Sequence, residues 1–506
     1  MGSLRRNVLL AATALVFSAG AAFADEDRPL RVAWDFEIDN LDQYYNTNRE
    51  GIIFARHVWD ALIYRNPDTF EYEPLLATDW EWADDTTIEM TLREGVTFHN
   101  GDSFSADDVV YTLNTVSDPD SGVLASRNVD WIESAEKLDD YRVRINLHEP
   151  FPAAFEYLSE AIPIYPGDYY REVGPEGMNE NPVGTGPYQV ESIDPQREYV
   201  LVRNEDYYED SPKGIPAIRE LHIRTITDKS TQMAELLSDG LDWVWRLPAD
   251  QAERLERRPG FEVKFGEAMR IGYMGLDAAG RSGHEALQDV RVRKAIAHAI
   301  DRESIVENMV RGDARVIHAP CSPFQFGCDE DAAVKYDYDP DRARELLEEA
   351  GYGDGFEMTL YAFRDRRWTE SILGYLADVG IDANMQFMQY FALRDLNHEG
   401  TTSAFHMDWG SYSIADASAV VSHFFKGSPD DFAQDEELQQ WLEIADNSID
   451  EEERLENYRN AIQRITEEVY WLPLHTFVIS YAFTEDLDMQ AYPDEIARYY
   501  TYSWKE

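Results

Sequence analysis

The chain has 506 residues, with 98 Asp and Glu against 45 Lys and Arg, for a formal charge of −53. A surface so acidic excludes nucleic-acid binders and proteins that sit on anionic membranes, since both depend on cationic contacts. The length exceeds what one hydrophobic core supports, so two or three domains are expected.

In chain order, the first element is a targeting segment. Arg5 and Arg6 precede an apolar run from Val8 to Phe17, and Ala22-Phe23-Ala24 puts small residues at both cleavage positions. Residues 1–24 read as a secretory signal peptide, removed from the mature protein. The paired arginines also fit a twin-arginine signal, although a basic n-region is the commoner pattern. No cysteine stands at the cleavage site to carry a lipid, and no later stretch approaches the roughly 18 apolar residues needed to span a bilayer. A soluble periplasmic protein of a Gram-negative bacterium is expected.

Next, Ile88, Met90 and Leu92 alternate with Thr87, Glu89, Thr91 and Arg93, which predicts a half-buried strand, and Asn100-Gly101 is a hairpin-turn dipeptide. Ser105 followed by Asp108 approximates a capping box for a helix carrying Val109, Val110 and Leu113. In the segment Pro182–Tyr208, Pro182 and Pro187 fix φ, while Gly184 and Gly186 are expected to supply backbone freedom to a rigid turn. Beyond that turn, Tyr199, Leu201 and Arg203 alternate with Val200 and Val202, so a strand follows. Cys321 and Cys328 bracket a short Pro/Gly-containing loop with no His or Cys neighbour. In an oxidising compartment the pair reads as a disulfide, with two free thiols as the alternative. Further on, Asp339 caps a helix that Pro340 opens and Gly351 closes. Strand and helix signals alternate along the chain, which implies α/β architecture.

Catalytic signatures are sparse. Neither a G-x-S-x-G elbow, nor H-E-x-x-H, nor a P-loop is present, and Ser134-Ala135-Glu136-Lys137 matches S-x-x-K without a K-T-G companion. Acidic residues are too abundant for carboxylate pairs to argue for a glycosidase, so a secreted glycan- or peptide-active hydrolase is the alternative from a different class.

Four blocks, Leu75–Leu113, Pro182–Tyr208, Asp289–Ala314 and Tyr338–Tyr352, resemble in order the signature segments of the extracellular solute-binding proteins of family 5, which serve peptide- and nickel-type ABC importers. The resemblance implies a two-lobed periplasmic-binding-protein fold (type II, cluster C) with an inserted subdomain and a hinge. The first lobe takes residues 25–60, 182–264 and 475–506, the insertion 61–181, and the second lobe 265–474. It further implies a non-enzymatic monomer without cofactor that closes on a small polar solute, most readily a short peptide or amino-acid-derived compound. That receptor would deliver its solute to permease subunits in the inner membrane, with separate ATPase subunits. An oligosaccharide, an opine-like conjugate or a nickel- or haem-type complex are the alternative cargoes.

Candidate site residues follow from the same resemblance. Arg49 and Glu50 occupy a loop that lines the cleft in relatives. Arg364, Arg366 and Arg367 occupy the loop from which dipeptide-binding relatives grip a ligand carboxylate, an interaction suited to the flat two-donor edge of a guanidinium. Trp409 matches a tryptophan that relatives follow with an aspartate for the peptide ammonium. Here Gly410-Ser411-Tyr412 takes that place, and the nearest later carboxylate is Asp416, which reads equally as a helix cap. Trp409, Tyr412 and Tyr273 are expected to form apolar walls. For a metal complex, His57, His406 and His423 are the candidate ligands, but none stands in a ligand-spacing motif. The acidic composition fits a marine or halophilic source, where salt screens self-repulsion, and equally ordinary acidic solubility.

Overall fold

The computed structural model describes residues 28–194, 197–364 and 366–505, so the expected signal peptide lies outside the described residues. Local rules account for its elements. Strand Thr87–Leu92 buries Ile88, Met90 and Leu92 and turns the intervening side chains outward. Helix Ala106–Val116 opens on a complete capping box, with Asp107 N donating to Ser105 Oγ at 3.3 Å and Ser105 N to Asp108 Oδ2 at 2.9 Å. Helix Pro340–Glu349 begins with Asp339 accepting from Arg342 N at 2.9 Å, and Gly351 beyond its end has φ +89°.

Fourteen strands frame the molecule: β1 (Leu30–Trp34), β2 (Ala77–Asp84), β3 (Thr87–Leu92), β4 (Ile132–Asp139), β5 (Arg142–Leu147), β6 (Tyr188–Asp194), β7 (Glu198–Arg203), β8 (Glu220–Thr225), β9 (Trp243–Trp245), β10 (Phe261–Leu276), β11 (Phe356–Ala362), β12 (Ile381–Phe387), β13 (Ala404–Trp409) and β14 (Trp471–Thr484). Ten of them make one sheet in the order β12-β11-β13-β10-β14-β9-β1-β8-β7-β6, and β2-β3-β5-β4 form a separate four-stranded sheet within the stretch expected to be an insertion. The two long strands β10 and β14 carry the sheet from one lobe to the other. Their antiparallel register runs from Phe261↔Thr484 to Ala268↔Phe477, breaks, resumes at Ile271↔Thr476 and Gly272↔His475, and after a one-residue shift at Leu474 continues from Tyr273↔Pro473 to Gly275↔Trp471. On the first side of the break β14 pairs with β9, and on the second β10 pairs with β13. The extra residues at the break, Met269 and Arg270, leave the ladder: Met269 N donates to Pro493 O at 2.7 Å, and the Arg270 side chain turns toward the space between the lobes.

The Pro/Gly turn works by close approach rather than by backbone freedom. Neither Gly184 nor Gly186 has a left-handed φ. A Cβ on Gly184 would stand 2.1 Å from Val58 O, and one on Gly186 2.5 Å from His57 O. Only glycine lets the turn reach the end of helix α1 (Arg49–Val58), where Gly186 N donates to Val58 O at 2.9 Å. Cys321 and Cys328 are joined by a disulfide, and Phe324 within its loop stacks on Phe70 at 6.2 Å.

Asp42 is wholly buried and accepts from Tyr165 Oη at 2.9 Å, Tyr170 Oη at 2.8 Å and Tyr44 N at 3.1 Å. Burial pushes its carboxyl up from 3.8 to about 6 against these three donors. A raised folded value favours the fold below the unfolded value, and that advantage is lost as pH rises through the folded one. Between pH 4 and 7 the wild type should lose about 2 kcal/mol of stability to this group. Urea denaturation across that range should find the loss absent in Asp42→Asn; parallel pH profiles for the two proteins would contradict it.

Candidate ligand-binding cleft

A cleft of about 1000 Å³ lies between the lobes, at the upper end of the roughly 300–1,000 Å³ of small-molecule sites. Helix α1 supplies Arg49 and Glu50 at its first turn, which Asn48 caps by accepting from Gly51 N at 2.8 Å. Arg246 follows β9, Arg270 sits at the break in β10, and Glu495 comes from the C-terminal segment. The other lobe contributes Arg364 and Arg367 beyond β11, and Asp408, Trp409 and Tyr412 from the end of β13. Phe36, Phe363, Trp368, Tyr390, Phe391 and Phe477 make the apolar lining.

Six arginines and four carboxylates line this cleft, in a chain where acids outnumber bases two to one. The carboxylates act as a scaffold for the guanidinium groups. Glu495 Oε1 accepts from Arg270 Nε at 3.2 Å, and its Oε2 faces Arg246 Nη2 at 3.5 Å and Arg49 Nε at 4.0 Å. Burial raises the Glu495 carboxyl, but Arg270, Arg49 and Arg246 outweigh it and bring it down to about 2. Asp408 pairs with Arg270 at 2.5 Å and with Arg364. Arg270 therefore bridges Glu495 of one lobe and Asp408 of the other. Arg246 reaches Glu50 at 3.4 Å, whose carboxyl burial pushes up.

Trp409 is half-buried on the cleft wall, donates from Nε1 to Ala419 O at 2.8 Å and stacks on His423 at 4.7 Å. Beyond it, Ser411, Tyr412 and Ser413 adopt left-handed φ values of 49°, 53° and 68°. Each such non-glycine residue costs about 1 to 2 kcal/mol, and strain of this kind concentrates where structure serves binding. The turn is held from the opposite lobe: Ser413 Oγ donates to Asp494 O at 2.6 Å, and Arg65 Nη1 donates to Ser413 O at 3.0 Å.

Of the residues singled out from sequence, Arg49, Glu50, Arg364, Arg367, Trp409, Ser411 and Tyr412 meet on this cleft. Three do not. Tyr273 is buried in the sheet with its ring 3.5 Å from that of Trp471, because its face of β10 packs inward. Arg366 starts the helix after β11 and points away, pairing with Glu370 one turn on at 3.5 Å. Asp416 caps Ala417–Ala419 by accepting from Ser418 N at 3.0 Å and is neutralised by Arg454 at 2.6 Å. The three histidines are scattered too. His57 bonds Ile53 O at 2.7 Å and accepts from Tyr499 N at 3.0 Å, His406 bonds Thr369 Oγ1 at 2.9 Å, and His423 lies under Trp409. Among the described residues no group of three or more His, Cys, Asp or Glu is placed to hold a metal ion. Sequence reasoning does not reach Arg246, Arg270, Asp408 or Glu495. Asp408 alone left a signal, a carboxylate placed just before Trp409 in the largely apolar strand Ala404–Trp409.

A sequence model of the bacterial extracellular solute-binding proteins, family 5 Middle, matches residues 71–432. The glutathione-binding protein GsiB of Salmonella paratyphi A is 27% identical over 483 residues, which are 92% of each chain. Among solved structures, the ABC transporter substrate binding protein CtaP of Listeria monocytogenes superposes with a TM-score of 0.85 at 20% identity, covering 95% of this chain and 100% of that one. The dipeptide binding protein of Pseudoalteromonas sp. SM9913 in complex with Met-Leu gives 0.79 at 21%, over 94% and 100%. The expected fold thus holds, with one sheet threaded through two lobes about a cleft, and the chain belongs to the bacterial extracellular solute-binding proteins of family 5.

Proposed function

We propose that this chain is the periplasmic receptor of an ABC importer and that its solute is a short peptide or amino-acid-derived compound carrying at least one carboxylate. The observation that carries this reading is the reversal of charge inside the cleft, six arginines to four carboxylates within a chain of charge −53. A solvated anion would be repelled by the rest of the surface. The arginine-lined cleft compensates the cost of taking its charge out of water. The names of the relatives, one for glutathione and one solved with Met-Leu, agree with a solute of this class. Closure turns on the register break at Ala268–Ile271, with Arg270 joining the lobes as it proceeds. The chain acts as a monomer without a catalytic step, and passes its solute to separate permease and ATPase subunits.

Native mass spectrometry of gently purified protein identifies the retained solute, and calorimetry with that solute tests the site. Arg364→Ala should weaken binding by about 2 to 5 kcal/mol if this guanidinium meets the solute carboxylate, as for truncation of a buried charged partner. Arg366→Ala, outside the cleft, should leave it unchanged. Wild-type affinity in both Arg364→Ala and Arg367→Ala would remove this loop from the site, and turnover of the solute would reject the binding role.

A further inference from the structure

Behind the cleft lies a second cavity of about 330 Å³, bounded by the insertion on one side and by residues 411–428 with Asp446 and Arg454 on the other. Ser411 and Tyr412 line both spaces, so the left-handed turn is the partition between them.

Two groups on this partition lack the partners their chemistry calls for. Ser411 is 2% exposed, yet its Oγ has no hydrogen-bond partner among the described residues. A buried hydroxyl is ordinarily satisfied, by protein or by something bound. Arg127 of the insertion places its guanidinium carbon 4.1 Å over the Tyr412 ring and 5.5 Å from that of Trp409. Aromatic contact occupies the face of a guanidinium. The N–H donors point outward in its plane, and that edge is what grips a carboxylate. No carboxylate of the described residues lies within ion-pair distance of Arg127, whereas the other cations of the cavity are already neutralised. Lys426 pairs with Asp446 at 3.0 Å and Glu443 at 2.6 Å, and Arg454 with Asp416.

We propose that the solute in the cleft extends past Tyr412 into this cavity and ends there in a carboxylate held by the edge of Arg127, with the Ser411 hydroxyl bonded to the solute where it crosses the partition. The proposal rests on the cleft's being the solute site and adds a length and a second charge to its ligand: an elongated acid-tailed compound rather than a compact one. Tyr412, with its ring against Arg127, sets the width of the passage.

Calorimetry with four defined peptides tests this: Ala-Glu and Ala-Ala-Glu, each beside its counterpart ending in Gln. Wild type should bind at least one Glu peptide about ten-fold or more tighter than its Gln counterpart, a fold-change typical of a charged partner. In Arg127→Met the preference should collapse to within about two-fold, with the Gln peptides bound as before, and Arg127→Lys should recover part of it. Ser411→Ala should weaken a Glu peptide and its counterpart alike. A preference for Glu that survives Arg127→Met, or no preference among peptides that do bind, would overturn the second pocket and leave the cleft reading standing. No binding of any of the four to wild type would overturn the peptide reading, and the second pocket with it. Should Arg127→Met fail to fold, an undiminished preference in Arg127→Lys, which keeps the charge but loses the two-donor edge, overturns the pocket by itself.

Discussion

Asp494→Ala should destabilise the protein by about 3 to 5 kcal/mol, the cost of leaving a buried ion pair with one partner. Asp494, Arg498 and Arg65 are each no more than 2% exposed. Arg498 donates to both carboxylate oxygens, at 2.9 and 2.6 Å, and Arg65 Nη2 adds a third contact at 3.3 Å. Arg65 keeps Glu156 after the substitution, but among the described residues Arg498 is left with Ile496 O at 3.3 Å. Burial alone would raise the Asp494 carboxyl, and Arg498 and Arg65 together hold it well below the usual range instead. A depressed folded value contributes stability above the unfolded value near 3.8, and that contribution is lost as pH falls toward the folded one. Chemical denaturation at neutral pH is the measurement, with Asp494→Asn as the isosteric control. A loss below about 1 kcal/mol would show that Arg498 is not left as an uncompensated buried charge and would contradict the prediction. The effect should spread to binding, because the backbone oxygen of Asp494 receives Ser413 Oγ and the next residue, Glu495, is the anion among the cleft arginines.

This coupling marks the boundary of what the sequence discloses. Elements with a local cause are legible: the Ile88-Met90-Leu92 alternation, the Ser105 capping box and the Asp339-Pro340 start each depend on residues within a few positions of one another. The fold class, read from four ordered blocks, also stands. The cleft is legible only in part. Arg49, Arg364 and Trp409 are found because they flank recognisable segments, whereas Arg270 enters through a register break that no periodicity announces, and Glu495 arrives from a terminal segment more than two hundred residues from it. Tyr273 fails for a related reason. A period of two says that alternate residues share a face, but not that this face meets Trp471. Gly184 and Gly186 are conspicuous in the sequence, yet the backbone that crowds them belongs to α1, more than a hundred residues earlier.

Trp409→Ala should weaken solute binding by about 2 kcal/mol or more, as for a central aromatic anchor, and should lower unliganded stability by less than the about 3 to 5 kcal/mol lost when a fully buried tryptophan is truncated. The residue stands between the two cases. One face stacks on His423 and the indole N–H is satisfied by Ala419 O, so part of its surface is already packed without solute. The remainder looks into the cleft, beside the ion pairs of Asp408. Closing the lobes on a solute would transfer that exposed part from water to a packed surface, which predicts a change in tryptophan fluorescence that tracks binding and is largely missing in Trp409→Phe. Phenylalanine keeps most of the stacking area but loses the N–H contact, so it separates anchoring from emission. The melting point of the unliganded Trp409→Ala protein and its calorimetric affinity for the retained solute decide the assignment together. A large drop in the first with an unchanged second would place Trp409 in the permanent core, because an anchor must lose affinity when its contact area is removed.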